Sequence, residues 1–258
     1  MVNHGASATT HVLVLGGSSE ASRLAEALAA AGVRATFSYA GRVKRLKPQP
    51  LPTRVGGFGG VVGLVKYVRD VGITHIVDAT HPFAAQMSRH VALACRETNT
   101  PHVTLARPPW QPGVGDAWLD VPTMQDAVEV LGEAPRRVFL AIGRQHVDLF
   151  VSKPQHFFLL RFVEPPGAEI RLAKHALVIA RGPFEVADEV ALMRRHGVEV
   201  VVSKNAGGAA ARAKLEAAKV LGLPVVMVRR PEARGGLLRS SVAEVLAWLR
   251  HAGVNLGV

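Results

Sequence analysis

The stretch HVLVLGGSSEASRLAEALAAAGVRATFSYAGR, residues 11–42, decides the fold class of this chain. Its apolar run HVLVL predicts a buried strand, the glycine pair predicts a tight turn, and the alanine- and leucine-rich residues that follow predict a helix. The run ATFSYA predicts a second strand. Two strands joined by a helix form a βαβ unit, so this stretch predicts the start of a parallel sheet with helices packed on it.

The same alternation of strands and helices continues along the chain. Further strands are predicted at ITHIVDAT, HVTLA, RRVFLAIG, HFFLLRFV, ALVIARG, VEVVVSKN and LPVVMVRR. Further helices are predicted near GLVKYVRDVG and FAAQMSRHVALACRET, and over 123–132, 144–152, 185–197, 210–221 and 240–252. The periodicity is lost at RPPWQPGVGDAW, where proline and glycine cluster. We therefore predict an α/β protein with two Rossmann-like parallel-sheet domains, residues 1–115 and 116–258, and a cleft between them.

The composition restricts the location of the protein. Of 258 residues, 48% are hydrophobic and one is a cysteine, Cys95, which predicts a real core, no intrachain disulfide and a reducing, cytoplasmic location. We expect no membrane association, because the apolar stretch near the N-terminus is too short to span a bilayer and lacks the features of a signal peptide. The histidines are scattered singly, so no metal site is predicted.

The charge restricts the class of partner. A net charge of +11 favours a polyanion, either nucleic acid or a small molecule with several carboxylates or phosphates, although most basic residues can belong to an ordinary solvated surface. Aromatic residues make up 5% of the chain and show no stacking pattern with the basic ones, which disfavours nucleic acid. We expect a small-molecule partner and a monomer or weak oligomer.

The loop after the first strand is a candidate phosphate site. Gly16 and Gly17 let a ligand approach the backbone, Ser18 or Ser19 is a good N-cap, and the helix that follows offers free N–H groups to a phosphate. The G-x-G-x-x-G spacing of dinucleotide enzymes is absent, and a purely structural turn is the alternative.

The end of the second strand bears on the choice of coenzyme. Enzymes that use NAD usually place an acid there, whereas the stretch FSYAGR contains none. If a dinucleotide binds, it is therefore expected to be NADPH, with Ser38 and Arg42 as candidates for its 2′-phosphate. The alternative is that this position begins an exposed basic loop.

Polar residues also follow other predicted strands, where ligands bind in α/β proteins. Thr80 and His81 lie in VDATHPFA, and His81 is a candidate general acid, with a hydrogen-bonded structural histidine as the alternative. The basic and loop-forming candidates are Arg144 in LAIGRQH, Arg181 in ARGPF, and Lys204, Asn205 and Gly207 in VVSKNAGG. Arginine forks suit carboxylates, and the loop beside Lys204 is a plausible anion nest.

The set LGGSSEASRLA, SYAGR, RVGGFGG, VDATHPFAAQMS, RPPW, GDAW, AIGR, RGPF and SKNAGG resembles the precorrin-6A reductase family of cobalamin biosynthesis. The resemblance runs in order from about residue 11 to about residue 231. It implies NADPH-dependent reduction of one carbon–carbon double bond of precorrin-6A, a metal-free tetrapyrrole with many carboxylates, to give precorrin-6B. Where relatives often carry Gly-Gly-Thr this chain has Gly-Gly-Ser, and where they often have serine it has Ala206.

The resemblance also suggests a role for each candidate residue. Gly16, Gly17, Ser18 and Ser19 would hold the pyrophosphate, and Ser38 with Arg42 the 2′-phosphate. Thr80 and His81 would lie near the nicotinamide, and the loops with Arg144, Arg181, Lys204, Asn205 and Gly207 would bind the substrate.

Three alternatives stay open. One is the cobalt-containing counterpart of the substrate, and another is a non-enzymatic protein that binds a tetrapyrrole or other polyanion. A short-chain reductase is the third, but neither Tyr39 nor Tyr67 has a lysine four residues on.

Overall fold

The computed structural model describes residues 10–41, 46–209, 211–231 and 236–256. These residues fall into two compact units. The first unit contains Met1–Arg107 and Pro231–Val258, and the second contains Pro108–Arg230.

Strands and helices alternate through the described residues. The strands are β1 (Val12–Leu15), β2 (Ala35–Tyr39), β3 (Thr53–Val55), β4 (His75–Asp78), β5 (His102–Leu105), β6 (Trp118–Val121), β7 (Arg137–Ala141), β8 (Phe157–Phe162), β9 (His175–Ile179), β10 (Val200–Lys204), β11 (Val225–Val228) and β12 (Leu237–Arg239). The helices are α1 (Ser19–Ala30), α2 (Gly60–Val71), α3 (Ala85–Thr98), α4 (Met124–Glu129), α5 (Val186–Arg195), α6 (Ala213–Val220) and α7 (Val242–His251), and Arg144–Ser152 forms a 3-10 helix.

The first unit is a six-stranded sheet with the order β12-β5-β4-β1-β2-β3, and its neighbouring strands are parallel. Alternate residues of β1 point to opposite faces of this sheet. Val12 and Val14 pack with α1 and α7, whereas Leu13 and Leu15 pack with α2 and α3. Because helices cover both faces, β1 is a continuous apolar run rather than an alternating one.

The second unit is another six-stranded parallel sheet, with the order β6-β11-β10-β7-β8-β9. Phe139, Val201 and Met227 of its central strands pack in one cluster with Met193 of α5 and Leu215 of α6. The predicted fold class, two Rossmann-like parallel-sheet units, is confirmed.

The structure corrects the predicted domain boundary. The sequence assigned residues 116–258 to the second domain, whereas the second unit ends at Arg230 and the rest of the chain joins the first unit. There β12 pairs with β5, and Val245 and Leu249 of α7 are buried in the same cluster as α1. The amphipathic pattern of α7 shows that one of its faces is buried, but it carries no information about which sheet covers that face.

Three strands were missed by the sequence analysis. β3, β6 and β12 have three or four residues each, and most of these residues are exposed or half-buried, so no apolar run marks them. The helix predicted over 144–152 is a 3-10 helix. A search of the described helices for a long apolar segment able to cross a membrane finds none.

Candidate functional site

The β1–α1 loop contacts β2 and the loop that follows β4. A Cβ on Gly16 would lie 2.1 Å from Cε1 of Phe37, so only glycine fits against this ring. Gly17 is exposed, and a Cβ built on it would lie 3.5 Å from the backbone N of His81. The loop therefore brings its backbone against the loop that follows β4.

Ser18 fixes the start of α1. Its Oγ accepts a hydrogen bond from the N–H of Ala21 (3.1 Å) and donates one to the carbonyl of Ala79 (2.8 Å). Ser18 is thus the N-cap and also ties the helix to the end of β4. Ser19 is exposed, and its hydroxyl donates to Glu20 (3.1 Å). Whether these residues bind a pyrophosphate stays a prediction.

A buried ion pair lies beside this loop and was not predicted. Glu20, 8% exposed, accepts hydrogen bonds from Arg107 (2.8 Å) and Arg23 (2.7 Å). Burial raises the pKa of this carboxyl, but its own backbone N–H and the Arg107 guanidinium outweigh that effect, so the pKa lies below its ordinary value. An arginine is therefore fixed near the exposed hydroxyl of Ser19, 3.5 Å away.

At the end of β2, Ser38 holds an arginine that the sequence analysis did not select. The Ser38 side chain is buried, and its Oγ accepts a hydrogen bond from Nη1 of Arg54 (2.8 Å). Arg54 also donates to the carbonyls of Gly56 (2.9 Å) and Gly57 (3.1 Å). The other predicted residue, Arg42, lies outside the described residues.

Arg54 could have been suspected from the sequence RVGGFGG, which the family resemblance already included. It was missed because β3, which carries it, was not predicted. In the sheet β3 pairs with β2 in parallel, with Arg54 opposite Ser38. This register explains why the two side chains meet.

The loop after β4 is organised by Asp78. This buried carboxylate accepts hydrogen bonds from the backbone N–H and hydroxyl of Thr80 (3.1 and 2.7 Å) and from the hydroxyl of Ser88 (2.5 Å). In the same loop, Nδ1 of His81 accepts a hydrogen bond from the N–H of Phe83 (3.2 Å). A neutral His81 therefore carries its proton on Nε2.

In the second unit, the SKNAGG loop is hydrogen-bonded to the RPPW loop. Oδ1 of Asn205 accepts from the N–H of Trp110 (2.7 Å), and Nδ2 of Asn205 donates to the carbonyl of Trp110 (2.9 Å). A Cβ on Gly207 would lie 2.1 Å from the carbonyl oxygen of Pro108. Asn205 and Gly207 were selected as substrate-binding residues, and their observed contacts are with this loop. A cavity of about 240 Å³, lined in part by Trp110, Trp118 and Asn205, lies beside it.

Lys204, at the end of β10, is paired with a histidine. Its Nζ lies 3.1 Å from Nδ1 of His146, in the 3-10 helix that follows β7. Burial, and then the Lys204 charge, lower the pKa of His146 from its ordinary value. His146 is thus neutral and accepts the hydrogen bond from the ammonium group. The sequence analysis included His146 in the motif LAIGRQH but predicted no role for it.

The other two basic candidates are more exposed. Arg144 begins the 3-10 helix and is exposed. Arg181 lies 3.7 Å from the carboxylate of Glu164, and about half of its side chain (52%) is exposed. Among the described residues, His, Cys, Asp and Glu side chains form no group of three suited to a metal ion.

Two parallel-sheet units, each with polar loops at the carboxyl ends of its strands, define a Rossmann-like α/β protein of the kind that binds nucleotides or similar ligands. The family model described as "Precorrin-6x reductase CbiJ/CobK" matches residues 11–250. The chain belongs to this family, which confirms the resemblance stated from the sequence motifs.

Individual relatives agree with this assignment. A precorrin-6A reductase of Rhodobacter capsulatus is 50% identical over 246 residues, which are 95% of this chain and 98% of that protein. A cobalt-precorrin-6A reductase of Priestia megaterium is 29% identical over 256 residues, which are 95% of this chain and 98% of that protein. The solved structure "CobK precorrin-6A reductase" is 50% identical, covers 95% of this chain and 98% of its own, and superposes with a TM-score of 0.91.

Proposed function

We propose that this protein reduces a carbon–carbon double bond of precorrin-6A with NADPH, giving precorrin-6B. The observation that carries the proposal is the position of the β1–α1 loop. The chain adds β2 and β3 on one side of β1 and β4 and β5 on the other, so the strand order changes direction between β1 and β4. Ligands of open α/β sheets bind at this switch point, and Gly17 and His81 meet there.

The residues at the switch point fit a dinucleotide. Gly17 has no side chain between its exposed backbone and solvent, and α1 starts directly after Ser18, so N–H groups at the helix start can bind a pyrophosphate. Thr80, held by Asp78, lies in the adjacent loop. At the end of β2 a guanidinium replaces the acid typical of NAD enzymes, which supports NADPH.

NADPH supplies the hydride when bound, and the protein's own groups complete the addition. His81 lies at the switch point, and its imidazolium form, which takes up a proton on Nδ1 in place of the bond from the Phe83 N–H, can donate a proton to the ring carbon next to the one that accepts the hydride. Arg144 and Arg181 follow β7 and β9, and Lys204 ends β10. Their charges suit the carboxylates of the tetrapyrrole. Asn205 and Gly207 keep the loop beside Lys204 in place.

Metal-free precorrin-6A is the substrate favoured by the comparisons. The relative named for it shares 50% identity with this chain, against 29% for the relative named for the cobalt-containing compound. Incubation of the purified protein with each tetrapyrrole and NADPH, followed by mass spectrometry, tests this choice. The gain of two hydrogens by the metal-free compound is expected, and faster reduction of the cobalt compound would overturn it.

The coenzyme is tested by titration calorimetry with NADPH and with NADH. We expect NADPH to bind at least tenfold more tightly, a difference of about 1.4 kcal/mol or more. Equal affinities would reject NADPH as the preferred coenzyme. Binding of neither coenzyme, combined with no oxidation of NADPH when precorrin-6A is added, would reject the reductase proposal in favour of a polyanion-binding protein.

The pair of Lys204 and His146 predicts an acid limit to substrate binding. The pKa of His146 is lowered in the folded protein, so the imidazole is neutral when the pH is at or above the ordinary pKa of histidine. The bond to Lys204 is lost as the pH falls through the lowered pKa. If Lys204 binds a carboxylate, the KM for the tetrapyrrole should stay flat down to this lowered pKa, which lies below the ordinary value, and should rise by up to about tenfold per pH unit at more acidic pH.

His146→Asn provides the test, because an amide oxygen can accept the same hydrogen bond without titrating. Its KM is expected to stay flat over the range in which that of the parent rises. His251→Asn, at an exposed histidine of α7, is the matched control and should follow the parent. If His146→Asn follows the parent as well, the bond between His146 and Lys204 has no part in substrate binding.

A further inference from the structure

The Arg54 guanidinium is held on several sides by the chain itself. Nη1 donates to Ser38 Oγ (2.8 Å) and to the carbonyl of Gly56 (2.9 Å), and Nη2 donates to the carbonyl of Gly57 (3.1 Å). The guanidinium carbon lies 3.8 Å from the centre of the Phe58 ring, a stacking distance. A long side chain that is otherwise mobile is therefore fixed in one orientation.

The fixed guanidinium keeps donors for a ligand. Arginine has five N–H groups, and among the described residues these bonds use three of them, both on Nη1 and one on Nη2. The remaining N–H groups are on Nε and Nη2, two adjacent nitrogens. Such a pair matches the oxygens of a phosphate, which arginine binds in a forked geometry. Arg54 is half-buried, so one side of it reaches solvent.

The backbone next to Arg54 is open. A Cβ on Gly57 would have no atom within 4 Å, and the φ of Gly57 lies outside the left-handed region that favours glycine. Neither packing nor conformation within the described residues therefore requires glycine at this position. A ligand can approach the backbone closely at a glycine that lies in open space beside an oriented cation.

The stretch of chain around Arg54 lacks the acidic residue that sites for an unphosphorylated ribose usually contain. No aspartate or glutamate occurs between Glu26 and Asp70, a stretch that contains β2, β3 and the GGFGG loop. This stretch therefore offers no carboxylate to a ribose with a free 2′-hydroxyl, whereas it offers a guanidinium to a ribose with a 2′-phosphate.

We propose that Arg54, positioned by Ser38 and stacked on Phe58, binds the 2′-phosphate of NADPH and is the residue that selects NADPH over NADH. This inference rests on the proposed function, and it changes the part expected of Ser38. The buried hydroxyl of Ser38 does not bind the phosphate, but orients the guanidinium that does. Ser38 is thus a positioning residue.

The test is the binding of NADPH, NADH and adenosine 2′-monophosphate to the parent and to Arg54→Ala. We expect Arg54→Ala to weaken NADPH and adenosine 2′-monophosphate at least tenfold and NADH less than threefold. Arg54→Lys keeps the charge but loses the fork and the stacking, so it should recover only part of the preference. Ser38→Ala should lower the preference less than Arg54→Ala does, because the two carbonyls and Phe58 still hold the guanidinium.

Two further variants make the result specific. Arg69→Ala removes the same charge from an exposed position on α2 of the same unit and should leave the ratio of NADPH to NADH affinity unchanged. Arg42→Ala tests the residue first selected from the sequence. If Arg42→Ala abolishes the preference and Arg54→Ala leaves it intact, the inference is wrong. Retained NADH binding shows that Arg54→Ala is folded, and equal weakening of both coenzymes also overturns the inference.

The inference and the proposed function fail in different ways. A parent protein with no preference for NADPH rejects the choice of coenzyme, and the inference with it. A parent that prefers NADPH, together with an Arg54→Ala variant that keeps this preference, rejects the inference alone.

Discussion

Replacing Glu189 with alanine is expected to lower the free energy of unfolding by about 3–5 kcal/mol. Glu189 on α5 is 2% exposed and forms an ion pair with Arg161 of β8. The Arg161 guanidinium lies 3.7 Å from the centre of the Phe184 ring. Removing Glu189 leaves this guanidinium largely buried without its counter-charge, which costs more than the ion pair itself contributes. Urea denaturation measures the loss.

The double variant Arg161→Met, Glu189→Leu separates the two contributions. It removes both charges and keeps the volume, so its stability should return close to that of the parent. Asp148→Ala is the matched control in the same unit, because Asp148 and Arg171 form an ion pair in which both side chains are 66% exposed. This control should cost less than about 1 kcal/mol. A Glu189→Ala variant as stable as the Asp148→Ala variant would show that leaving the Arg161 guanidinium without its counter-charge carries no burial cost.

Much of the fold was predictable because its central strands are buried on both faces. β1 is a continuous apolar run, β10 begins with three buried valines, and α1, α2 and α3 have clear amphipathic patterns. The return of Pro231–Val258 to the first unit was not predictable, since a strand as short and exposed as β12 has no pattern that names its partner. Sequence periodicity identifies which face of an element is buried, but not which element covers it.

The candidate site was predictable to the level of its loops. The glycine and polar residues after β1, β4 and β10 were selected because ligands bind at the carboxyl ends of parallel strands. Their contacts were not predictable, because each depends on a residue distant in sequence. Ser38 meets Arg54 through the register of β2 and β3, and Asn205 meets Trp110 from 95 positions away. Long-range hydrogen bonds of this kind leave no local signal.

Gly207→Ala is expected to destabilise the protein by about 2–5 kcal/mol, from two separate costs. Gly207 has a φ of +67°, a left-handed conformation that costs alanine about 1–2 kcal/mol. The new Cβ would also lie 2.1 Å from the carbonyl oxygen of Pro108 and 2.4 Å from Nη2 of Arg230, and relieving such overlap typically costs about 1–3 kcal/mol. Thermal and urea unfolding of the variant measure the sum.

Gly222→Ala isolates the conformational cost. Gly222 has nearly the same φ, +64°, and a Cβ there would have no atom within 4 Å, so this variant should lose only about 1–2 kcal/mol. The difference between the variants is then the cost of separating the SKNAGG and RPPW loops. Since Lys204 precedes the displaced segment, Gly207→Ala should also raise the KM for the tetrapyrrole, whereas Gly222→Ala should not. Equal losses of stability in the two variants would mean that the loops separate at no cost, and that the contact of Gly207 with Pro108 does not hold the site together.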